Sequence, residues 1–346
     1  MRRIITLIVL ALLLTGAVLA WKMFGSGTAF SEKTHTFIIE EGKTDRANVV
    51  AALEKNEVIS SPSLFSFLGS RMGIWNRIRP GKYEVKKGES LVGIARMLKN
   101  GRLAEFKLVI NRIRTREELA HLISKNFKPD SVSVMQYLNS DDSLQKFGVD
   151  TNTLFTLIIP DTYLFYWNTP LEKILRRLAD TRDAFWKRNQ RLEKANELHF
   201  TPEQVYTLAS IVDEETNYES DKYKIASVYI NRVNAGMPLQ ADPTIKFAMK
   251  DFTLRRILKK FLDTPSPYNT YRRKGLPPGP ICTASPKTLD IVLTAPKTDY
   301  LYFVAKSDFS GYHHFSSNFT EHLQYAREYQ KALTEYLAKK QQNPAP

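Results

Sequence analysis

The hydrophobic pattern opens with a nearly unbroken run. Residues 4–21 are apolar except for Thr6, Thr15 and Gly16, with Arg2 and Arg3 before the run and Lys22 after it. That length matches the roughly 20 residues that cross a bilayer core and exceeds the roughly 7–15 apolar residues of a secretory signal. The run therefore predicts a transmembrane helix, although Val18-Leu19-Ala20 loosely fits a small-x-small cleavage site. After a Gly25-Ser-Gly-Thr linker the pattern changes to alternation. Phe37-Ile-Ile-Glu-Glu-Gly-Lys-Thr44, Tyr83-Glu-Val-Lys-Lys-Gly-Glu-Ser90 and Phe106-Lys-Leu-Val-Ile-Asn-Arg-Ile-Arg-Thr115 each read as a strand and turn with a Ser or Thr placed to cap a helix. The helices are predicted to end near Asn56, near Asn100 and at Lys125, as modules of one small α+β domain. Residues 126–200 are less periodic. Ile159-Pro-Asp-Thr-Tyr-Leu-Phe-Tyr-Trp167 packs aromatics around a Pro-Asp turn, read as core in preference to a sugar-stacking surface, and residues 170–198 are a charged helical stretch.

The sharpest helical signal begins at Thr201-Pro-Glu-Gln204, with Thr as N-cap, Pro at the first helical position and Gln three residues after the cap. At 100° per residue the apolar stripe runs through Val205, Leu208, Ile211 and Val212, and residue 215 continues it. Residue 215 is a glutamate. Asp213 and Glu214 are expected to rotate toward solvent. Glu215 is aimed inward near a helix C-terminus, where desolvation and the dipole both favour its neutral form, as a general acid requires. The competing reading is a structural glutamate paired with Arg232 or Lys224. A following helix over 221–235 is stopped by Gly236. Asp242, before Pro243, reads as the N-cap of a short helix toward Met249, with a second catalytic carboxylate as the alternative. Pro267-Tyr-Asn-Thr-Tyr271 and Gly275-Leu-Pro-Pro-Gly-Pro-Ile281 are rigid loops suited to the wall of a groove. Tyr300-Leu-Tyr-Phe-Val304 reads as a buried strand. His313 and His314 are adjacent and fall on opposite strand faces, and no Cys or His stands at ligand spacing, so no metal site is expected.

Composition narrows the choice of partner. The 346 residues carry 50 Lys+Arg against 36 Asp+Glu, a formal charge of +14, and 43% are hydrophobic, which excludes a disordered chain and predicts two or three domains. The single cysteine, Cys282, excludes an intramolecular disulfide. The basic excess fits nucleic acid, a membrane surface or another acidic polymer. Arg2 and Arg3 place the N-terminus in the cytoplasm and the rest of the chain outside, which removes nucleic acid from the list.

Two resemblances sharpen the reading. Tyr83-Glu-Val-Lys-Lys-Gly-Glu-Ser-Leu-Val-Gly-Ile-Ala95 resembles LysM, a module that binds N-acetylglucosamine-containing glycans. The ordered phrases Ala209-Ser-Ile-Val-Asp-Glu-Glu-Thr216, Ala226-Ser-Val-Tyr-Ile-Asn-Arg232, Gly236-Met-Pro-Leu-Gln-Ala-Asp-Pro-Thr244, Tyr268-Asn-Thr-Tyr271, Gly275-Leu-Pro-Pro-Gly-Pro-Ile281 and Tyr300-Leu-Tyr-Phe-Val304 resemble the endolytic murein transglycosylase family, MltG or YceG-like. Pro160-Asp-Thr162 also matches, whereas Phe155-Thr156 replaces the family's Glu-Gly and Tyr312 replaces the glycine before His313.

The resemblance implies an α+β fold with an N-terminal transmembrane helix, a LysM-like α+β subdomain and a C-terminal mixed α/β catalytic domain. The expected spans are a cytoplasmic tip and anchor over 1–24, a linker over 25–34, the LysM-like domain over 35–125, a connecting region over 126–200, the catalytic domain over 201–338 and a disordered tail over 339–346. It implies an endolytic lyase of peptidoglycan glycan strands, with Glu215 as the one catalytic acid and base and with anhydro-muramoyl products. Gln240, Asp242, Tyr268, Asn269, Tyr271, Pro277, Gly279 and His313 are the implied substrate-binding residues. No cofactor is implied. The implied setting is the bacterial inner membrane, with the catalytic domain periplasmic and a penicillin-binding synthase complex as partner. A glycan-binding scaffold without activity and a hydrolytic muramidase are the alternatives.

Overall fold

The computed structural model describes residues 2–254 and 256–342, with side chains through residue 338; residues 343–346 of the expected tail lie outside the described residues. The chain is α+β. In order it forms α1 (Arg2–Phe24), β1 (Thr34–Ile39), α2 (Arg46–Lys55), α3 (Pro62–Met72), β2 (Gly81–Lys86), α4 (Leu91–Lys99), β3 (Glu105–Val109), α5 (Arg116–Asn126), α6 (Ser131–Leu138) and α7 (Asp141–Gln145). There follow β4 (Thr162–Tyr166), α8 (Leu171–Trp186), α9 (Arg191–Glu197), α10 (Pro202–Glu215), α11 (Glu219–Asn234), α12 (Asp242–Met249), α13 (Pro286–Leu293), β5 (Tyr302–Ala305), β6 (His313–Ser316) and α14 (Phe319–Gln342). The strands make three two-stranded sheets, β1-β2, β3-β4 and β5-β6. Residues 339–342, expected as tail, continue α14.

By packing the chain divides into two compact units. One holds residues 1–108, 125–129 and 164–170, the other 109–124, 130–163 and 171–346. Most of α5, grouped with the first domain in the sequence reading, therefore packs in the second unit. α1 is 23 residues with no buried residue and contains an 18-residue stretch of mean hydropathy 2.6, long and apolar enough to cross a membrane.

In the first unit β1 and β2 pair antiparallel with Phe37 opposite Tyr83, their rings stacked 5.5 Å apart. Those rings, with Val49 and Leu53 of α2, Phe65 and Leu68 of α3, and Leu91, Ile94 and Leu98 of α4, form its core. Ser90 caps α4 and Thr115 caps α5 as expected, the side chains accepting from the Gly93 and Glu118 amides. The cap of α2 differs. Asp45, not Thr44, accepts from the Ala47 and Asn48 amides, because the turn after Gly42 runs one residue longer. α3 stands between the first two modules where no element was predicted.

The second unit is organised around α10. Every residue from Val205 to Asp213 is buried, so this is a central helix rather than one with a single apolar stripe. Ile225, Ala226 and Tyr229 of α11 and Leu289, Ile291 and Val292 of α13 pack in the same cluster. Thr201 and Gln204 form the predicted capping box. Tyr206 donates to the Ile158 carbonyl at 2.5 Å and accepts from the Ala284 amide at 3.1 Å, which ties the Ile159-Pro-Asp segment and the start of α13 to the same helix. Of that segment's residues Tyr163 and Phe165 are buried, as the core reading expects, whereas Leu164 and Tyr166 face solvent. β5 is half-buried along its length instead of fully buried, since it pairs only with β6.

Gly279 needs its missing side chain: a Cβ there would lie 2.1 Å from the Asn152 carbonyl oxygen, a backbone atom that has no rotamer to change. Gly279→Ala is expected to cost about 2–3 kcal/mol through overpacking, measured as a lower thermal midpoint of the full chain. An unchanged midpoint would show that the 275–281 loop shifts freely.

Candidate active site

Three consecutive acids at the end of α10 meet three different environments. Asp213, expected in solvent, is the most buried, 2% exposed. Its carboxylate pairs with Lys222 of α11, accepts from the Ser285 amide at 2.7 Å and accepts from the Thr288 hydroxyl at 2.5 Å. The sequence reading failed here because it gave α10 one buried face, whereas helices lie on several sides of it. Glu214 takes both nitrogens of the Arg114 fork, at 3.0 and 3.1 Å, with Arg112 at 3.6 Å. Glu215 lies in a cavity.

That cavity, about 300 Å³, is lined by Glu215, Arg232, Leu239, Gln240, Asp242, Tyr271, Phe303 and His322. Among the described residues Glu215 forms no ion pair. Its carboxyl accepts a hydrogen bond from the Tyr229 hydroxyl at 2.5 Å. The salt-bridged reading of this glutamate is thereby removed. Arg232 spends its guanidinium on the Leu301, Leu239 and Pro238 carbonyls and the Gln240 side chain. Lys224 lies over the Phe315 ring. Burial pushes the Glu215 carboxyl up from 4.5 to about 7, the nearby Asp242 charge adds to the rise, and the Tyr229 bond and Lys246 oppose it. The same burial and the Glu215 charge push the Tyr229 phenol far above its ordinary value, so it remains a donor.

Asp242 does not cap α12. Ala241 occupies the N-cap position, and Asp242 is the first helical residue, its carboxylate accepting from the Tyr271 hydroxyl at 2.5 Å. The turn before it is built from buried hydroxyls: Thr244 bonds the Ala241 carbonyl at 2.7 Å, and Thr270 lies 2.8 Å from Thr244 and accepts from the Ala241 amide at 3.0 Å. Gln240 sits at φ +56°, a left-handed backbone that a non-glycine residue holds only under constraint, and its amide is fixed to the Thr270 carbonyl at 3.0 Å. This turn aims Gln240 and Asp242 into the cavity.

Of the residues named from sequence, Glu215, Gln240, Asp242 and Tyr271 come together. Asn269 does not join them. It is fully buried, donates to the Leu262 and Thr264 carbonyls and accepts from the Tyr271 amide, so it shapes the loop that carries Tyr271. Tyr268 faces Phe247 at 4.6 Å in a separate cavity. Pro277 and Gly279 are buried and line neither cavity. His313 is held by Asp221, which accepts from its amide at 2.8 Å and lies 2.9 Å from its Nδ1, and it meets the Glu215 cavity only through Phe303 at 5.4 Å. Among the described residues no group of three or more His, Cys, Asp or Glu could hold a metal ion.

The sequence reading missed Tyr229, Phe303 and His322. Tyr229 and Arg232 are three residues apart on α11, a spacing that puts both on one face, and this was the available signal. His322 had none. It enters from α14, stacks on Tyr302 at 5.2 Å, and its buried Nδ1 has no hydrogen-bond partner among the described residues. Burial and the Arg232 charge hold its pKa below the ordinary value, so it stands neutral at pH 7.

The sequence profile described as the YceG-like family matches residues 37–328. A Bacillus subtilis (strain 168) protein called endolytic murein transglycosylase is 30% identical over 348 aligned positions, covering 95% of this chain and 92% of the relative. A Streptococcus pneumoniae protein of the same name is 26% identical over 80% of this chain, which spans 55% of that longer relative. A crystal structure of a yceG-like protein from Listeria monocytogenes is similar with a TM-score of 0.56 and 26% identity, covering 85% of this chain and 99% of its own.

The raised Glu215 pKa has a consequence for stability. The folded carboxyl keeps its proton at pH values where an unfolded glutamate has lost it. The stability it contributes is thus complete below about 4.5 and is lost as pH rises through about 7. Glu215→Gln removes that loss. Its thermal midpoint is expected to rise relative to wild type between pH 4 and 8, the gain reaching about 1–2 kcal/mol after allowance for the open mouth of the cavity. A constant difference across that range would contradict the assignment.

Proposed function

The chain belongs to the YceG-like family, and on that premise we propose that it is an endolytic peptidoglycan lytic transglycosylase. In this reading it breaks the β-1,4 bond between N-acetylmuramic acid and N-acetylglucosamine within a glycan strand, without water, and leaves 1,6-anhydro-muramoyl ends. The observation that carries it is Glu215: a carboxyl without an ion pair, raised to about 7, in an open cavity with one hydrogen-bond donor behind it.

The chemistry uses that one group twice. Protonated Glu215 gives its proton to the glycosidic oxygen as the C1–O bond breaks and the electron pair leaves with the oxygen. The resulting carboxylate takes the proton of the muramoyl C6 hydroxyl as that oxygen bonds to C1. Glu215 ends protonated and no water enters the product. Tyr229 supports the carboxylate stage. Asp242 accepts from the Tyr271 hydroxyl at the positive end of α12, where its carboxylate offsets positive charge developing on the sugar ring. Neutral His322, Phe303 and Gln240 form the walls.

The presence of Asp242 in the cavity favours a second reading, a hydrolytic muramidase with two carboxylates. Mass separates the two, because hydrolysis adds one water to each product. We further place α1 as a single-pass anchor with a cytoplasmic N-terminus, the remainder on the outer side of the inner membrane, and synthases that polymerise the strands as partners. The LysM-like phrase forms β2, its turn and α4; Tyr83, Val85, Leu91 and Ile94 are all core, so glycan binding there would use the exposed residues of the turn.

Glu215→Gln is expected to keep the fold and to lower release of anhydro-ended fragments from purified strands by at least about 10³-fold, since general acid and base roles are both lost. Undiminished activity would end the proposal. Asp242→Asn is expected to retain the anhydro product, to slow turnover about 10–100-fold and to move the alkaline limb of the kcat profile to lower pH, because the charge that raises the Glu215 pKa is gone. A limb that stays in place would remove Asp242 from this role.

A further inference from the structure

Another cavity of this unit has no part in the mechanism above. It encloses about 290 Å³ and is lined on one side by Phe247 and Tyr268 and on another by Arg114, Arg116 and Phe252. α12 separates it from Glu215. Asp242 at the start of that helix belongs to the first cavity and Phe247 to the second, five residues or about 7.5 Å along the axis. Arg114 lies over the Phe252 ring at 5.3 Å and gives both fork nitrogens to Glu214, so its charge is matched. Arg116 is different. It lines the cavity half-buried and has no ion pair or hydrogen bond among the described residues. It is also the first residue of α5, where a cation faces the positive end of the helix. Local preference disfavours arginine at that position, and although Glu117 also lines the cavity, its carboxylate meets Lys250 at 3.6 Å, which leaves the half-buried Arg116 charge without an ion-pair partner. Both costs are recovered if an anion enters.

From this we propose that the Arg116 cavity binds the carboxylate-bearing peptide stem of a muramoyl residue while its glycan strand lies across Glu215. The proposal rests on the glycan-cleaving reading of Glu215. The chemistry fits in three respects. A stem peptide carries free carboxylates for the Arg116 fork. Its alanine methyls suit the Phe247 and Tyr268 faces. Its amides suit the polar rim at Thr151, Asn152 and Ser266. Because Arg114 and Glu214 join the cavity wall to the residue beside Glu215, a stem seated there would fix the strand relative to the acid.

The test compares two substrates with the full-length protein: purified glycan strands with intact stems, and the same strands stripped of stems by an amidase. For wild type, kcat/KM is expected to be about tenfold higher on the stem-bearing strands, a difference carried by KM. Arg116→Gln should bring that ratio close to one, and Arg116→Lys should restore part of it. A ratio unchanged in Arg116→Gln overturns the proposal. An equal fall on both substrates also overturns it, since the cavity would then bind sugar. If wild type cleaves neither substrate, the reading of Glu215 fails instead. Calorimetric binding of the free stem peptide to Glu215→Gln, lost in the Glu215→Gln/Arg116→Gln double variant, then still decides whether the cavity takes it.

Discussion

The second unit depends on one buried carboxylate. Asp213 lies among Lys222 of α11, the Thr288 hydroxyl of α13 and the Ser285 amide that precedes α13. A carboxylate at that depth is tolerated only when charge and hydrogen bonds are matched together, and removal of one partner leaves several kcal/mol uncompensated. Three helices are consequently held in one register by a requirement that none meets alone. The last turn of α10 is fixed in direction, and Glu215, two residues further on, is fixed with it. Dispersion among Val205, Leu208, Ile211 and their neighbours supplies most of the cohesion, yet apolar contacts tolerate sliding in a way that this polar clamp does not.

The same turn shows how neighbouring acids are given different partners. Asp213 is stabilised as an anion by a lysine and two donors, and Glu214 by the Arg114 fork. Glu215 receives one phenolic hydrogen bond and faces the Asp242 charge from α12, and burial then prevails. The arrangement leaves Glu215 as the acid of the three without an ion pair among the described residues. It works because Arg232, the cation nearest the cavity, is engaged by carbonyl oxygens of the 238–239 turn and of Leu301 and does not contact Glu215. Those carbonyls localise the guanidinium without cancelling its charge, so it contributes positive potential to the cavity without ionising the acid by contact.

Much of this was legible in the sequence, and the failures share a cause. The inward aim of Glu215 follows from helical periodicity, and the capping box that starts α10 was readable residue by residue. The glycine stop of α11 was equally plain, since Gly236 adopts φ +64° where an L-residue would be strained. What the pattern left hidden was the number of faces a helix buries. Asp213 looked solvated because periodicity identifies the most apolar face and says nothing about helices that pack on the others. Asp242 looked like a cap because Asp-Pro opens many helices; the cap fell to Ala241, since the Thr244 and Thr270 hydroxyls already organise that turn. Asn269 looked like a ligand contact because polar loop residues often are, yet its three bonds are all internal. His322 arrives from α14, more than a hundred residues after Glu215, and tertiary packing alone brings it there.

These errors have a common physical content that bears on how the site is held. Asp213, Asn269 and His313 are polar and satisfied by other protein groups, and Gln240, Asp242 and Tyr271 in the cavity are supported by such groups or by hydroxyls. Asn269 positions the backbone of Tyr271, whose hydroxyl in turn orients Asp242. Thr270 and Thr244 hold the turn that strains Gln240 into the left-handed region. Proline limits the entropy these short loops lose on folding, and internal hydrogen bonds remove their remaining freedom. The cavity groups are therefore positioned before any ligand arrives, and binding energy from a long polymer need not be spent on ordering them. A reaction that uses one carboxyl first as acid and then as base requires that economy of motion, because the same two oxygens must lie within reach of two different atoms of the sugar in succession.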